Sequence, residues 1–238
     1  LHEFLPSDRE GMDDLAEALG LPLSDVVRRV ETMGEYNPML GMRGVRLGVT
    51  VPEIYEMQAR AIFEAIVQVS KEGISVVPEI MIPLVSAKRE VELVKKRVAS
   101  VASQVGLETS AEVNYKLGVM VETPRAALRA SDIAMNSEFL SFGTNDLTQM
   151  AYGLSRDDAG KFMSQYVQQG VFQEDPFHIL DPEGVGELVK LGADRARSIK
   201  PNITLSICGE HGGNPESIAF SHQLGFHYVS CSPYRVPV

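Results

Sequence analysis

Short apolar runs alternate with helical periodicities along most of this chain, and no other feature restricts its fold as strongly. Val76 to Val85 (VVPEIMIPLV) reads as a strand whose two prolines keep its ends irregular. Lys116 to Glu122, Phe139 to Phe142, Thr204 to Cys208 and Tyr228 to Cys231 read as further strands, and Val45 to Gly48 as a short one ahead of them all. Behind Pro52, residues Ile54, Met57, Ala61, Ala65 and Val69 make one helical face. Behind a capping Ser86, the residues Val91, Val94, Val98, Val101 and Val105 make another. Thr123-Pro124 opens a helix through Ile133, Leu147 opens a short one, and Glu183 to Ile199 and Pro215 to Leu224 are helical as well. The strands are continuous apolar runs, so both of their faces are buried, as in a parallel sheet covered by helices.

Two parallel folds fit that pattern. No Gly-x-Gly-x-x-Gly follows the first strand, which weighs against a dinucleotide-binding doubly wound sheet. Polar residues at the ends of several strands favour a (β/α)8 barrel of the TIM type, whose sites are assembled that way. Six strands are legible, against the eight of a closed barrel. Ahead of them, residues 7–35 read as a helical insertion. It has a helix from a Ser7 cap to Leu19, a Gly20 stop, and a second helix behind Pro22 and Ser24. Asn37 to Gly41 is a loop, and Ser155 to Asp181 a longer irregular region.

Composition enters mainly by exclusion. A net charge of −10 with no basic patch argues against nucleic acid and against an anionic membrane surface. The two cysteines, Cys208 and Cys231, are too few for a disulfide framework, so a reducing compartment such as the cytoplasm is expected. No apolar run has the length of a membrane span.

Phe139 to Gln149 (FLSFGTNDLTQ) carries the chemistry-capable pattern. A strand breaks at Gly143 and presents Thr144, Asn145 and Asp146 in a row. Glycine lets backbone N–H groups approach an anion, and a carboxylate takes a hard cation. An ordinary turn has the same composition. Glu122 closes the preceding strand and Cys208 a later one, so in a barrel all three sites project at the same rim. Glu122 alone reads equally as a helix-capping acid, and Asp146 alone as an Asx turn. Together they suit Mg²⁺, which takes one or two carboxylates and fills its other positions with water and substrate oxygens. Cys208 is either a small core hydrophobe or a thiol able to exchange a proton at the rim. His211 is a candidate base or a loop residue, and Cys231 reads as core.

Asn37-Pro38-Met39-Leu40-Gly41 with Arg43-Gly44, Val121 to Ala126 (VETPRA), Phe142 to Gln149 (FGTNDLTQ) and Cys208 to His211 (CGEH) resemble, in this order, the phosphoenolpyruvate-utilising enzymes. Pro52 to Gln58, Ser155 to Phe162 and Ser230 to Pro237, with the Glu210 to Gly213 continuation, are most similar to the dikinase branch of that family. The resemblance implies the C-terminal phosphoenolpyruvate/pyruvate-binding (β/α)8 barrel, truncated: its first two, arginine-bearing strands and its last helix lie outside the chain, and both ends read as cut. It also implies Mg²⁺ on Glu122 and Asp146, and substrate contacts from Arg43, Gly143, Thr144 and Asn145 beside those carboxylates. Cys208 corresponds to the proton donor at C3. The phosphoryl group comes from a phosphohistidine on another domain of the same chain, a role for which none of the five histidines here has a setting.

The expected reaction overall is ATP, phosphate and pyruvate to AMP, diphosphate and phosphoenolpyruvate, in a homodimer of the cytoplasm or a plastid. The chain alone is expected to be inactive and prone to aggregate through open sheet edges. The alternatives are a phosphoenolpyruvate synthase, another Mg²⁺-dependent oxo-acid barrel, and a phosphoenolpyruvate-sensing or dimerisation module without turnover.

Overall fold

The computed structural model describes residues 4–236, in two compact units that divide after Arg43. The first is a helical hairpin of α1 (Arg9–Leu19) and α2 (Leu23–Met33), followed by a 3-10 turn at Pro38–Leu40. Asp8, not Ser7, caps α1, its carboxylate accepting from the Gly11 N–H at 2.8 Å. Gly20 ends that helix in the left-handed conformation (φ 63°), as a C-terminal glycine does.

The second unit holds α3 (Val45–Thr50), α4 (Pro52–Lys71), β1 (Glu79–Ile82), α5 (Lys88–Thr109), β2 (Lys116–Val121), α6 (Pro124–Leu128), α7 (Ala130–Ala134) and β3 (Phe139–Gly143). It continues with α8 (Thr144–Tyr152), α9 (Arg156–Ala159), α10 (Met163–Gln168), α11 (Val185–Ile199), β4 (Thr204–Cys208), α12 (Pro215–Gln223) and β5 (Tyr228–Val229). The five strands form one sheet in the order β1-β2-β3-β4-β5, every neighbouring pair parallel. Each strand lies beside its predecessor, with no reversal of direction along the sheet.

Five strands rather than six is a correction. Val45 to Gly48, expected as a strand, opens α3. The Val45 N–H donates to Pro83 O at 3.0 Å beside the end of β1, and then the Leu47 and Gly48 N–H groups turn back onto Gly44 O. A short apolar run cannot be told from a helical segment by periodicity, and here tertiary packing overrides the β-preference of valine. The helix expected from Thr123 through Ile133 is also broken, at Arg129. Ser86 lies just before α5 without capping it. Instead the Glu90 carboxylate accepts from the backbone N–H groups of Ser86 and Ala87, at 2.7 and 2.9 Å.

Side chains alternate across the sheet. Ile82, Leu117, Val119, Val121, Leu140, Phe142, Leu205 and Ile207 face the helices and form the core with Val91, Val94, Val98, Val185 and Val189. The opposite face therefore carries Glu79 and Met81, then Lys116, Gly118 and Met120, then Phe139, Ser141 and Gly143, then Thr204, Ser206 and Cys208, and last Tyr228. That face is concave. Tyr228 of β5 donates to Glu79 of β1 at 3.4 Å, so side chains of the two outermost strands meet across it.

Candidate active site

The strand register places the candidate residues in a row. Gly143 pairs with Cys208, and Val121 with Phe142, so one step further Glu122 stands opposite Gly143. Glu122, Gly143 and Cys208 thus come from three neighbouring strands at their C-terminal ends, all on the concave face. The glycine leaves room for the Glu122 carboxylate and the Met120 sulfur to close over β3. A Cβ at position 143 would lie 2.7 Å from Glu122 Oε2 and 2.9 Å from Met120 Sδ.

Glu122 is 7% exposed, and its Oε1 accepts from the Leu84 N–H at 2.6 Å. Thr123, rather than Glu122, caps α6 by accepting from the Ala126 N–H. Its hydroxyl donates to Val85 O at 3.0 Å, which ties the end of β2 to the loop after β1. Tyr55 of α4 feels this carboxylate: burial, and then the Glu122 charge, push its phenol up to about 12.

Thr144, Asn145 and Asp146 form the first turn of α8, whose N-terminal N–H groups have no partner within the helix. Asp146 is half-buried there, where the helix dipole favours a negative charge. Asn145 Oδ1 accepts from the Glu210 N–H at 3.3 Å. Thr144 is fully buried, and its hydroxyl lies 3.1 Å from Cys208 O and 2.6 Å from His211 Nδ1.

His211 is neither a loop residue nor an exposed base. It is fully buried, with Nε2 2.9 Å from Pro176 O. That carbonyl can only accept, so Nε2 carries the proton of the neutral ring, and Nδ1 shares the single Thr144 hydroxyl hydrogen with Cys208 O. Burial lowers the ring's affinity for a second proton, the Pro176 carbonyl opposes this, and Arg156 reinforces it; the net shift is down. A neutral imidazole therefore joins three segments: the start of α8, the loop before α11 and the loop after β4.

Cys208 is partly buried, with Sγ 3.3 Å from Met120 Sδ. Burial pushes its thiol up; a hydrogen bond from Ser141 opposes this, and the Glu122 and Asp146 charges add to the rise. Both carboxylates therefore act on the sulfur. Cys231, expected in the core, is partly exposed and lines a small cavity with Gly209, Glu210, Ser230 and Arg235.

Arg43 belongs to the first unit, where its Nε donates to Met39 O at 2.8 Å. Arg156 is a cation to which the motif reading gives no role. It stands at the start of α9, its N–H held by Gln149 Oε1 at 3.0 Å, and its guanidinium is 3.6 Å from the Glu210 carboxylate. The signal was present in Ser155-Arg156-Asp157-Asp158, close behind FGTNDLTQ in sequence.

Residues 8–238 match the family described as PEP-utilising enzyme, PEP-binding domain. The chain belongs to this family. It is 52% identical over its whole length to the pyruvate, phosphate dikinase of Clostridium symbiosum and covers 27% of it. It is also 52% identical to the pyruvate, phosphate dikinase of Rhizobium meliloti (strain 1021), again covering 27%. Pyruvate, phosphate dikinase 1, chloroplastic, of Oryza sativa subsp. japonica is 52% identical, with 25% of it covered. The chain thus spans about a quarter of the length of these relatives. Among the described residues no helix is long and apolar enough to cross a membrane.

The donor set can be tested against the metal that the family resemblance implies. Among the described residues no group of three or more His, Cys, Asp or Glu could enclose an ion. Two carboxylates at an open rim suit a hard cation that keeps water and substrate oxygens in its shell, and Mg²⁺ is of that kind.

Proposed function

We propose that this chain is the phosphoenolpyruvate/pyruvate domain of a pyruvate, phosphate dikinase, a truncated (β/α)8 barrel that interconverts pyruvate and phosphoenolpyruvate through enolpyruvate. The observation that carries the reading is the row Glu122–Gly143–Cys208, a carboxylate and a thiol from the two strands that flank a glycine. The uninterrupted parallel strand order and the contact of Tyr228 with Glu79 support a barrel-like curl.

Glu122 and Asp146 would hold Mg²⁺, which would supply positive charge to offset the developing enolate. The N–H groups at the start of α8, with the Asn145 amide, orient the substrate anion over Gly143. The Cys208 thiolate removes a proton from C3 in one direction, and the thiol returns it in the other. The raised thiol affinity for protons suits the returning step. Arg156 offers charge to the transferring phosphoryl group, a reaction that asks mainly for positioning and charge. The phosphoryl group is delivered by a phosphohistidine on another domain of the same protein, which works as a homodimer in the cytoplasm or a plastid.

The test is Mg²⁺-dependent exchange of the C3 protons of pyruvate, measured in the protein as the cell makes it. Cys208→Ala abolishes this exchange and phosphoenolpyruvate formation while nucleotide-dependent histidine phosphorylation continues. Exchange at the wild-type rate in the alanine variant would refute the assignment of Cys208. Pyruvate binding without exchange in the wild type would indicate a sensor instead.

A further inference from the structure

One row below the thiol, the register pairs Ser141 of β3 with Ser206 of β4, so both hydroxyls lie on the concave face. Ser141 is 2% exposed and Ser206 fully buried. Ser206 Oγ has no hydrogen-bond partner among the described protein groups. A buried hydroxyl left without one is destabilising, and alanine would fit the same space. Barrel interiors are ordinarily filled by Val, Ile and Leu.

We propose that Ser141 and Ser206 hold one water molecule beneath the Cys208 thiol, and that this hydroxyl pair is the route by which the thiol exchanges its proton with solvent on the side away from substrate. The inference rests on the proton-transfer role of Cys208 argued above. A buried water needs two to four polar partners, and the two hydroxyls and the thiol supply three. Ser141 already hydrogen-bonds the sulfur. Met120, the third member of that row, brings Sδ to 3.3 Å from the thiol but offers no proton of its own. Along the same face, Ser206 is paired with Tyr228, whose hydroxyl reaches Glu79, and Glu79 stands 3.3 Å from Lys116 Nζ. Polar groups therefore continue from beneath the thiol to the N-terminal end of the sheet.

The step balances. When the thiolate takes a C3 proton, the C–H bond breaks, an S–H bond forms and the electron pair moves onto the enolate oxygen. The thiol proton then passes to the water as a proton from the Ser141 hydroxyl takes its place on sulfur and the water reprotonates Ser141. Each atom gives one proton and receives one, so no charge is left behind, and the water exchanges onward past Ser206.

The experiment uses pyruvate tritiated at the methyl group, in the protein as the cell makes it. The readout is the ratio of tritium released to water to phosphoenolpyruvate formed. Ser206→Ala is expected to lower that ratio severalfold, because the abstracted proton is returned to substrate instead of being lost, and Ser206→Thr, which keeps a hydroxyl, is expected to restore it. An unchanged ratio in Ser206→Ala overturns the relay. So does a lowered ratio that threonine fails to restore, since shape rather than the hydroxyl would then be responsible. Absence of Mg²⁺-dependent release in the wild type removes the role of Cys208 itself, and the relay with it, and so is distinguishable from failure of the relay alone.

Discussion

Gly143 and Glu122 compete for one small volume: a methyl group on the glycine would sit 2.7 Å from Oε2 of the carboxylate. Glu122 cannot step aside freely, because its other oxygen is held by the Leu84 N–H at 2.6 Å. The placement of the Glu122 carboxylate over β3 therefore depends on the absence of a side chain at this position.

Gly143→Ala is accordingly expected to cost about 1–3 kcal/mol in denaturant unfolding and to abolish Mg²⁺-dependent pyruvate binding in calorimetry. Gly118→Ala is the control. Its Cβ would meet the Phe139 ring at 2.5 Å, two rows further from the rim. It should destabilise by a similar amount yet leave binding to the folded fraction intact. Loss of binding in both variants would mean that general loosening, and not the placement of the carboxylate, explains the first result.

The strands were legible in the sequence because Leu117, Val119, Leu140, Phe142, Leu205 and Ile207 are buried against helices and leave unbroken apolar traces. Val45 to Gly48 left the same trace and became a helix, its first N–H held by Pro83 O, a partner 38 residues away that no local pattern announces. Glu122, Asp146 and Cys208 could be singled out because each follows a strand. The groups around them could not. Met120 and Ser141 reach the sulfur only through strand register, and His211 finds Thr144 and Pro176 at separations of 67 and 35 residues. Such partners have no local pattern to announce them.

Cys208 supplies a test of metal binding at Glu122 and Asp146 that does not require turnover. Burial first, and then the Glu122 and Asp146 charges, hold its thiol above the ordinary range. Iodoacetamide labelling of Cys208, separated from Cys231 by peptide mass, should therefore rise at higher pH than for a free thiol of pKa about 8.5. Glu122→Gln removes one of those charges and should move the profile to lower pH. Saturating Mg²⁺ should do the same in the wild type and much less in the variant. A profile indifferent to Mg²⁺ would separate the carboxylates from any ion.

His211 gives the pH dependence of stability a defined sign. Its folded-state affinity for a proton is lowered, chiefly by burial, so near pH 6.5 and below the unfolded chain binds the extra proton more readily. The contribution is complete above the unfolded value of about 6.5 and is lost as pH falls towards the lower folded one. Urea unfolding of the wild type should therefore show stability falling on acidification from about pH 6.5. His211→Asn, costing about 1–3 kcal/mol at neutral pH through the lost bridge, should flatten that fall. If the variant keeps the wild-type slope between pH 5 and 7, the titrating group lies elsewhere and His211 is not the neutral link between α8 and the loop carrying Pro176.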